Sequence, residues 1–330
     1  MQIDIKAKEL KPIRNAYSHL VRRFGDKPAT RYQEAVYDIQ ATEHFHYRPT
    51  WQPDKELYDE SRTALKMDDW YKFIDPRQYY YGTYCMARAK QQETADQNFK
   101  FVEKRNLLKT IPDEAIAQIK KVILPLRHFE WGANMNNSQI CAMGYGASIT
   151  SAAMLHAADR LGNAQYITRI GLVLSENDSA VIDDAKDVWM NDSDWQGVRK
   201  LVEDSFVVED WFELFVAQNF VMDGLVHPLF FEQFDDKLNE LGAATYSMLT
   251  EFIVGFSAES NRWVDKQIAV AIAESEENKN IMSDWFNVWL ERTVHALQPL
   301  TEYAFDNGAE VLSAAVEKLK TRAAKNGIAA

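Results

Sequence analysis

The chain has 330 residues, of which 46% are hydrophobic and 26% charged, and its formal net charge at pH 7 is −12. A chain of this length and apolar content buries a large core, which excludes an intrinsically disordered protein. The negative charge argues against nucleic acid as the main partner, because phosphate binding needs a basic surface. Only 13 glycines and 9 prolines are present, and this composition favours helices.

Residues 1–72 are predicted to form an extended arm with short helices that contacts another subunit. Prolines at this density break long helices, and the many aromatic side chains are too numerous for a free linker. Residues 1–50 in particular are expected to bind another subunit, because aromatic residues beside arginine are enriched at the centres of interfaces. The alternative is that the arm packs on the chain's own bundle, which the pattern predicts for residues 73–330.

The pattern becomes helical from Asp75 onward. Asp75 at an N-cap position with Pro76 in the first turn predicts the start of a helix. Further long helices follow, with Pro125 as a break and with Ser193 and Asp194 as a cap. No run of alternating β-branched residues appears, and no Asn-Gly or Asp-Gly hairpin turn joins such runs. The predicted fold class is therefore all-α, with many helices around a bundle.

Cysteine use and hydropathy predict a cytoplasmic protein that does not contact a membrane. Cys85 and Cys141 lie far apart among apolar residues and are expected to be buried, reduced thiols. The first residues lack the apolar core of a signal peptide. No stretch reaches the ~18 uninterrupted apolar residues of a membrane span.

No common catalytic or metal site is complete in the sequence. Gly-rich phosphate loops, the G-x-S-x-G elbow and C-x-x-C pairs do not occur. A carboxylate-bridged metal pair needs two Glu-x-x-His units on core helices, whereas the single such unit, residues 43–46, lies in the arm. Glu291 and His295 are typical of a solvated helix pair or a satisfied histidine. His156 is expected to be a core or interface residue, and His227, before Pro228, a helix-end or packing residue. These residues alone indicate a helical protein that binds another protein.

Five stretches occur in order along the helical part: DPRQYYYGTYCMARAKQQE, FEWGANMNNSQI, AADRLGNAQYI, LVHPLFF and SAESNRWVDKQ. Together they resemble the β subunit of the hydroxylase component of bacterial multicomponent monooxygenases. The phenol hydroxylase branch fits best and the toluene monooxygenase branch next. The resemblance extends from about residue 10 to about residue 310, and it implies a ferritin-like helical bundle.

The resemblance also implies that this chain has lost a di-iron site that its α-subunit paralogue carries. The positions equivalent to metal ligands would be Glu130, Arg160, Asn163, Met222, Ser260 and Trp263. For the third helix the register is open between Met222 and Asp223. Arg160 brings a permanent positive charge that repels metal ions, and one remaining Glu cannot bind two irons. Arg160 and Glu130, on adjacent helices, are instead expected to form a buried ion pair.

The function implied by the resemblance is that of a non-catalytic scaffold with no cofactor of its own. It would hold metal-bearing α subunits in a complex with two copies each of α, β and γ. That complex would hydroxylate phenol with O2 and with electrons from NADH, delivered by a flavin and iron–sulfur reductase in the presence of a small regulatory protein. Two alternatives stay open: a subunit of a toluene or alkene monooxygenase, and a stand-alone ferritin-like oxidase.

Overall fold

The computed structural model describes residues 17–42 and 48–329, and this part of the chain contains helices but no strands. The all-α prediction is confirmed. In chain order the α-helices are α1 (Ser18–Phe24), α2 (Arg31–Val36), α3 (Tyr81–Lys104), α4 (Asp113–Gln118), α5 (Leu126–Met143), α6 (Ala147–Leu174), α7 (Ala180–Asn191), α8 (Gln196–Ser205), α9 (Trp211–Glu240), α10 (Ala244–Glu274), α11 (Glu276–Ala304) and α12 (Gly308–Lys325).

The central bundle consists of α5, α6, α9 and α10, which bury one continuous apolar core. Gly146, with a φ of 91°, makes the turn between α5 and α6, and the Asn134 side chain donates to the Ala157 carbonyl at 2.7 Å across the two helices. Helix α9 is long and apolar enough to cross a membrane, with a mean hydropathy of 1.3, but 89% of that stretch is buried in the protein. Such burial is typical of a core helix.

The predicted helix start at Asp75 is wrong. The Asp75 carboxylate accepts hydrogen bonds from the backbone N–H and from Nε of Arg77, each at 2.9 Å. This local pairing makes a turn instead of a cap, and Gln78 follows in the left-handed region with a φ of 53°. Helix α3 therefore begins only at Tyr81.

Two other predicted boundaries lie close to the observed ones. Pro125 stands at the junction between the π-helical turn Ile119–Ile123 and α5, as expected for a break. Asp192, not Ser193 or Asp194, is the cap, and it caps the 3-10 turn Ser193–Trp195 that leads into α8. Its carboxylate accepts the Asp194 N–H at 2.9 Å.

The described part of the arm contacts the chain's own bundle. Helices α1 and α2 bury a small apolar cluster that includes Leu20 and Tyr32. The Tyr32 hydroxyl accepts the Asp75 N–H at 2.8 Å, and the Gln40 side chain accepts the Gly146 N–H at 2.7 Å. Binding of the arm to another subunit remains a prediction, and residues 1–16 lie outside the described residues.

The cysteines are both free thiols, but they are not both buried as predicted. Cys85 is exposed on α3, and Cys141 is half-buried on α5. Neighbours in the sequence do not face each other on a helix, and the adjacent Met86 is itself 66% exposed. Burial raises the pKa of the Cys141 thiol, which makes this side chain less reactive.

Candidate functional site

A charge cluster lies in the middle of the bundle, where α5, α6 and α9 meet. Helix α5 contributes Glu130, α6 contributes Arg160 and Asn163, and α9 contributes Asp223 and His227. All five residues are buried, and the Glu130 and Arg160 side chains are 0% exposed. Buried charges are stable only when they are paired and hydrogen-bonded, so the contacts among these residues decide what the cluster can do.

The Arg160 guanidinium lies between two carboxylates from other helices. Its Nε is 2.8 Å from Glu130 Oε2, and its Nη2 donates to Glu130 Oε1 at 3.0 Å. Its Nη1 donates to Asp223 Oδ2 at 2.8 Å. The predicted ion pair of Arg160 and Glu130 is therefore confirmed, and Asp223 extends it to a triad.

Each carboxylate has further donors. Asn163 Nδ2 donates to Glu130 Oε2 at 3.2 Å, and His227 Nε2 lies 3.0 Å from Glu130 Oε1. Asp223 Oδ1 accepts from Gln218 Nε2 at 2.8 Å. All four carboxylate oxygens of the cluster thus have a donor.

The ionisation of the two carboxyl groups differs. Burial opposes ionisation of Glu130, but the charge of Arg160 and the hydrogen bond to His227 outweigh it and lower the pKa. For Asp223 burial dominates, and the nearby Arg160 offsets it only in part, so the pKa is raised. Glu130 is therefore the more readily ionised of the two carboxyl groups beside Arg160.

Two π-helical segments in α9, Val216–Met222 and Pro228–Gln233, flank the turn that carries Asp223 and His227. Asp223 and His227 are four residues apart and share one face. A π segment changes the register of the side chains around it and occurs frequently at functional sites. The π segment Val216–Met222 places Gln218, five residues before Asp223, beside it, and regular helical spacing does not predict this contact. His227, expected at a helix end or in packing, contacts Glu130 of the cluster as well as the Phe231 ring.

Of the positions predicted to be equivalent to metal ligands, some lie in the charge cluster and others do not. Asp223, not Met222, enters the cluster, and Met222 lies in the apolar core. On α10, Ser260 donates to the Ser257 carbonyl of its own helix at 3.1 Å. Trp263 is fully buried and packs against the Phe215 ring at 5.2 Å. Helix α10, the fourth helix of the bundle, thus contributes an uncharged region beside the charge cluster.

His156 of α6 lies in this uncharged region. Its ring stacks on Phe256 at 5.4 Å and tilts against Trp263 at 5.2 Å. Neither ring nitrogen has a hydrogen-bond partner. Burial, with the nearby charge of Arg160, lowers the pKa of His156 well below its ordinary value, so this imidazole is neutral in the folded chain.

We expect His156→Leu to make the free energy of unfolding depend less on pH below about pH 6.5. The unfolded chain protonates this histidine below about pH 6.5 and the folded chain does not, so unfolding takes up a proton and stability falls as the pH falls. Between pH 6 and pH 5 the wild-type chain should lose about 1.2 kcal/mol more than His156→Leu. Urea unfolding at several pH values measures this difference, and parallel profiles would contradict it.

A second ion cluster links α3, α6 and α10 nearer the surface. Arg88 donates to both Asp159 oxygens at 2.6 and 2.7 Å and to Glu259 Oε1 at 2.9 Å. The Tyr84 hydroxyl also donates to Asp159, at 2.8 Å. These contacts join helices that are far apart in the sequence, and no local spacing predicts them. They fix the outer edge of the site, which has the charged triad at its centre.

The remaining sequence candidates do not join the site. Glu291 and His295 are exposed on α11, as expected for a solvated pair. Residues 43–46, which hold the Glu-x-x-His unit, lie outside the described residues.

Comparison with known proteins identifies the family of the chain that contains this charge cluster. A family model described as methane/phenol/alkene hydroxylase matches residues 51–275. The chain belongs to this hydroxylase family. It is 47% identical over 328 residues to the phenol 2-monooxygenase oxygenase component DmpL of Pseudomonas sp. strain CF600, an alignment that covers 99% of this chain and 98% of that protein.

Other hydroxylase relatives support the predicted branch and fold. The structure superposes on a crystal structure of xenon-pressurized phenol hydroxylase from Pseudomonas sp. OX1 with a TM-score of 0.93 and 43% identity, over 99% of each chain. Identity to the hydroxylase component subunit beta of the toluene-4-monooxygenase system of Ectopseudomonas mendocina is 24%, over 84% of this chain and 86% of that one. The expected resemblance, phenol branch first and toluene branch next, and the ferritin-like bundle are confirmed.

The residues of this hydroxylase chain do not fit the di-iron centre that the resemblance assigns to its paralogue. Such a centre needs several carboxylates and two imidazoles free to ligate. Here the oxygens of Glu130 and Asp223 are taken by Arg160, His227, Asn163 and Gln218. Among the described residues no three His, Cys, Asp or Glu side chains are grouped so that they could hold a metal ion.

Proposed function

We propose that the chain is a non-catalytic, metal-free subunit of the oxygenase component of a phenol hydroxylase. One observation carries the proposal: the Arg160 guanidinium lies fully buried between the Glu130 and Asp223 carboxylates. A permanent positive charge at the centre of the bundle repels a metal ion, so the oxygen chemistry belongs to another chain. This chain's task is then to hold that chain in an assembly.

The partners in this proposal are the α and γ subunits, with two copies of each chain in the complex. The di-iron centre lies on α, which also holds the phenol, and the electrons come from NADH through a flavin and iron–sulfur reductase. A small regulatory protein completes the system. The 47% identity to a phenol 2-monooxygenase component, against 24% to a toluene-4-monooxygenase subunit, favours phenol over toluene or an alkene.

An exposed apolar face supports a subunit contact. Trp131 and Met135 on α5 and Met154 and Leu161 on α6 are each 42–49% exposed. Trp131 and Leu161 line one groove of about 560 Å³, and Met135 lies one helical turn along α5 from Trp131. We call these four residues the α5–α6 face.

The α5–α6 face has the composition of an interface centre. Trp and Met are enriched there, and a group of exposed apolar side chains marks an interaction site. The face also lies on the outside of the two helices that carry Glu130 and Arg160. We therefore assign the α5–α6 face to the contact with the iron-bearing subunit.

The alternative of a stand-alone oxidase has less support. Such an enzyme needs ligands for its own metal, and the charge cluster uses its carboxylates to bind Arg160 and neighbouring side-chain donors.

The proposal is tested by expressing the oxygenase chains together and leaving out one at a time. We expect phenol hydroxylation only when this chain and the iron-bearing chain are both present, because one supports assembly and the other holds the metal. Hydroxylation by this chain in the absence of the others would contradict the proposal, as would full activity of a complex that lacks it.

A further inference from the structure

The charge cluster has a feature that the proposed function does not require: its carboxylates are oriented independently of Arg160. Asn163 and His227 contact Glu130, and Gln218 contacts Asp223. Gln218 is held in turn, because Asn136 Nδ2 donates to its Oε1 at 2.8 Å. The acceptor side of the cluster is thus built by residues that remain when the guanidinium is removed.

The guanidinium, by contrast, is bound as a ligand would be. It contacts carboxylates from two helices other than its own, Glu130 on α5 and Asp223 on α9, at 2.8–3.0 Å. The Phe129 ring lies 5.7 Å from its central carbon, within the range of a cation–π contact. A planar fork between two carboxylates is the geometry that arginine-type cations prefer.

We propose that Glu130, Asp223 and Phe129 form a preorganised site for a guanidinium-type cation, and that Arg160 fills this site from within. A full-length chain in which the Arg160 side chain is shortened to alanine then binds a small external guanidinium there. Truncation of a buried side chain leaves a cavity that takes up ligands of matching shape. Ethylguanidinium matches the part of the side chain that an Arg160→Ala substitution deletes. This inference does not depend on the proposed function, since it concerns this chain alone.

The test is the thermal midpoint of full-length Arg160→Ala with ethylguanidinium, at concentrations well below those that denature proteins. N-ethylurea, which has the same shape and no charge, is the matched control. A ligand that binds only the folded chain stabilises it by mass action. We expect ethylguanidinium to raise the midpoint by about 2 °C more than N-ethylurea does at tenfold excess over its Kd.

Two further variants assign the effect to the site. Arg160→Met fills the cavity without a charge, and Arg160→Ala combined with Glu130→Gln and Asp223→Asn removes the anionic groups. Neither variant should respond to ethylguanidinium more than to N-ethylurea. If Arg160→Ala does not accumulate in folded form, its refolding yield is compared in the two compounds, and several-fold more folded chain is expected with ethylguanidinium. Equal responses to the two compounds, or an equal response of the control variants, would overturn the proposal.

Discussion

Arg160→Ala is expected to lower the free energy of unfolding by about 3–5 kcal/mol, because it leaves buried carboxylates without their cation. Glu130 loses two contacts and Asp223 loses one. Burial already raises the pKa of Asp223, so part of the lost energy is recovered when this carboxyl takes up a proton. Urea or thermal unfolding of the purified variants measures the change.

The matched control for this prediction is Arg169→Ala on the same helix, α6. Arg169 pairs with Asp96 near the surface, and its side chain is 37% exposed, so the substitution should cost about 1 kcal/mol or less. Replacing Arg160, Glu130 and Asp223 together with neutral residues of similar volume should cost much less than Arg160→Ala alone. A wild-type stability of Arg160→Ala would mean that the charge triad is not buried.

The second large effect is expected at the α5–α6 face. Met135→Glu combined with Met154→Glu puts two charges into the contact that we assign to the iron-bearing subunit. Charged groups at the centre of an interface cost more than about 2 kcal/mol, or about 30-fold in affinity. Co-purification with the other oxygenase chains should therefore be lost, while the isolated chain keeps its helical content, since both side chains are exposed.

Val288→Glu is the matched control for this face. Val288 is 52% exposed on α11 and lies outside the α5–α6 face, so the substitution should leave co-purification unchanged. Normal assembly of the Met135/Met154 double variant would contradict the contact that we assign to the α5–α6 face. Loss of assembly in both variants would point to an effect of net charge.

The resemblance to hydroxylase β subunits predicted the centre of the site, the pair of Glu130 and Arg160. Glu130 and Arg160 are found together because the helices that carry them, α5 and α6, are regular and joined by a short turn. The sequence does not decide between Met222 and Asp223, because the π segment Val216–Met222 shifts the register of α9. That the positions of Glu130, Arg160 and Asp223 descend from metal ligands stays a prediction.

Other features of the site depend on contacts that no local pattern reveals. Arg88 bridges α6 and α10 through Asp159 and Glu259, which lie far from it in the sequence. Likewise, Asp75 is followed by Pro76 as in a helix start, but its carboxylate binds Arg77 and makes a turn. In each case a partner side chain decides the outcome, and its identity is visible only in the fold.

Iron analysis of the purified full-length chain, after anaerobic incubation with Fe(II) and desalting, tests the central claim most directly. The oxygenase chain to which we assign the di-iron centre, treated in the same way, is the positive control. We predict iron close to zero on this chain, because Arg160 occupies the carboxylates of Glu130 and Asp223. About two irons per chain, as a carboxylate-bridged pair requires, would contradict the account.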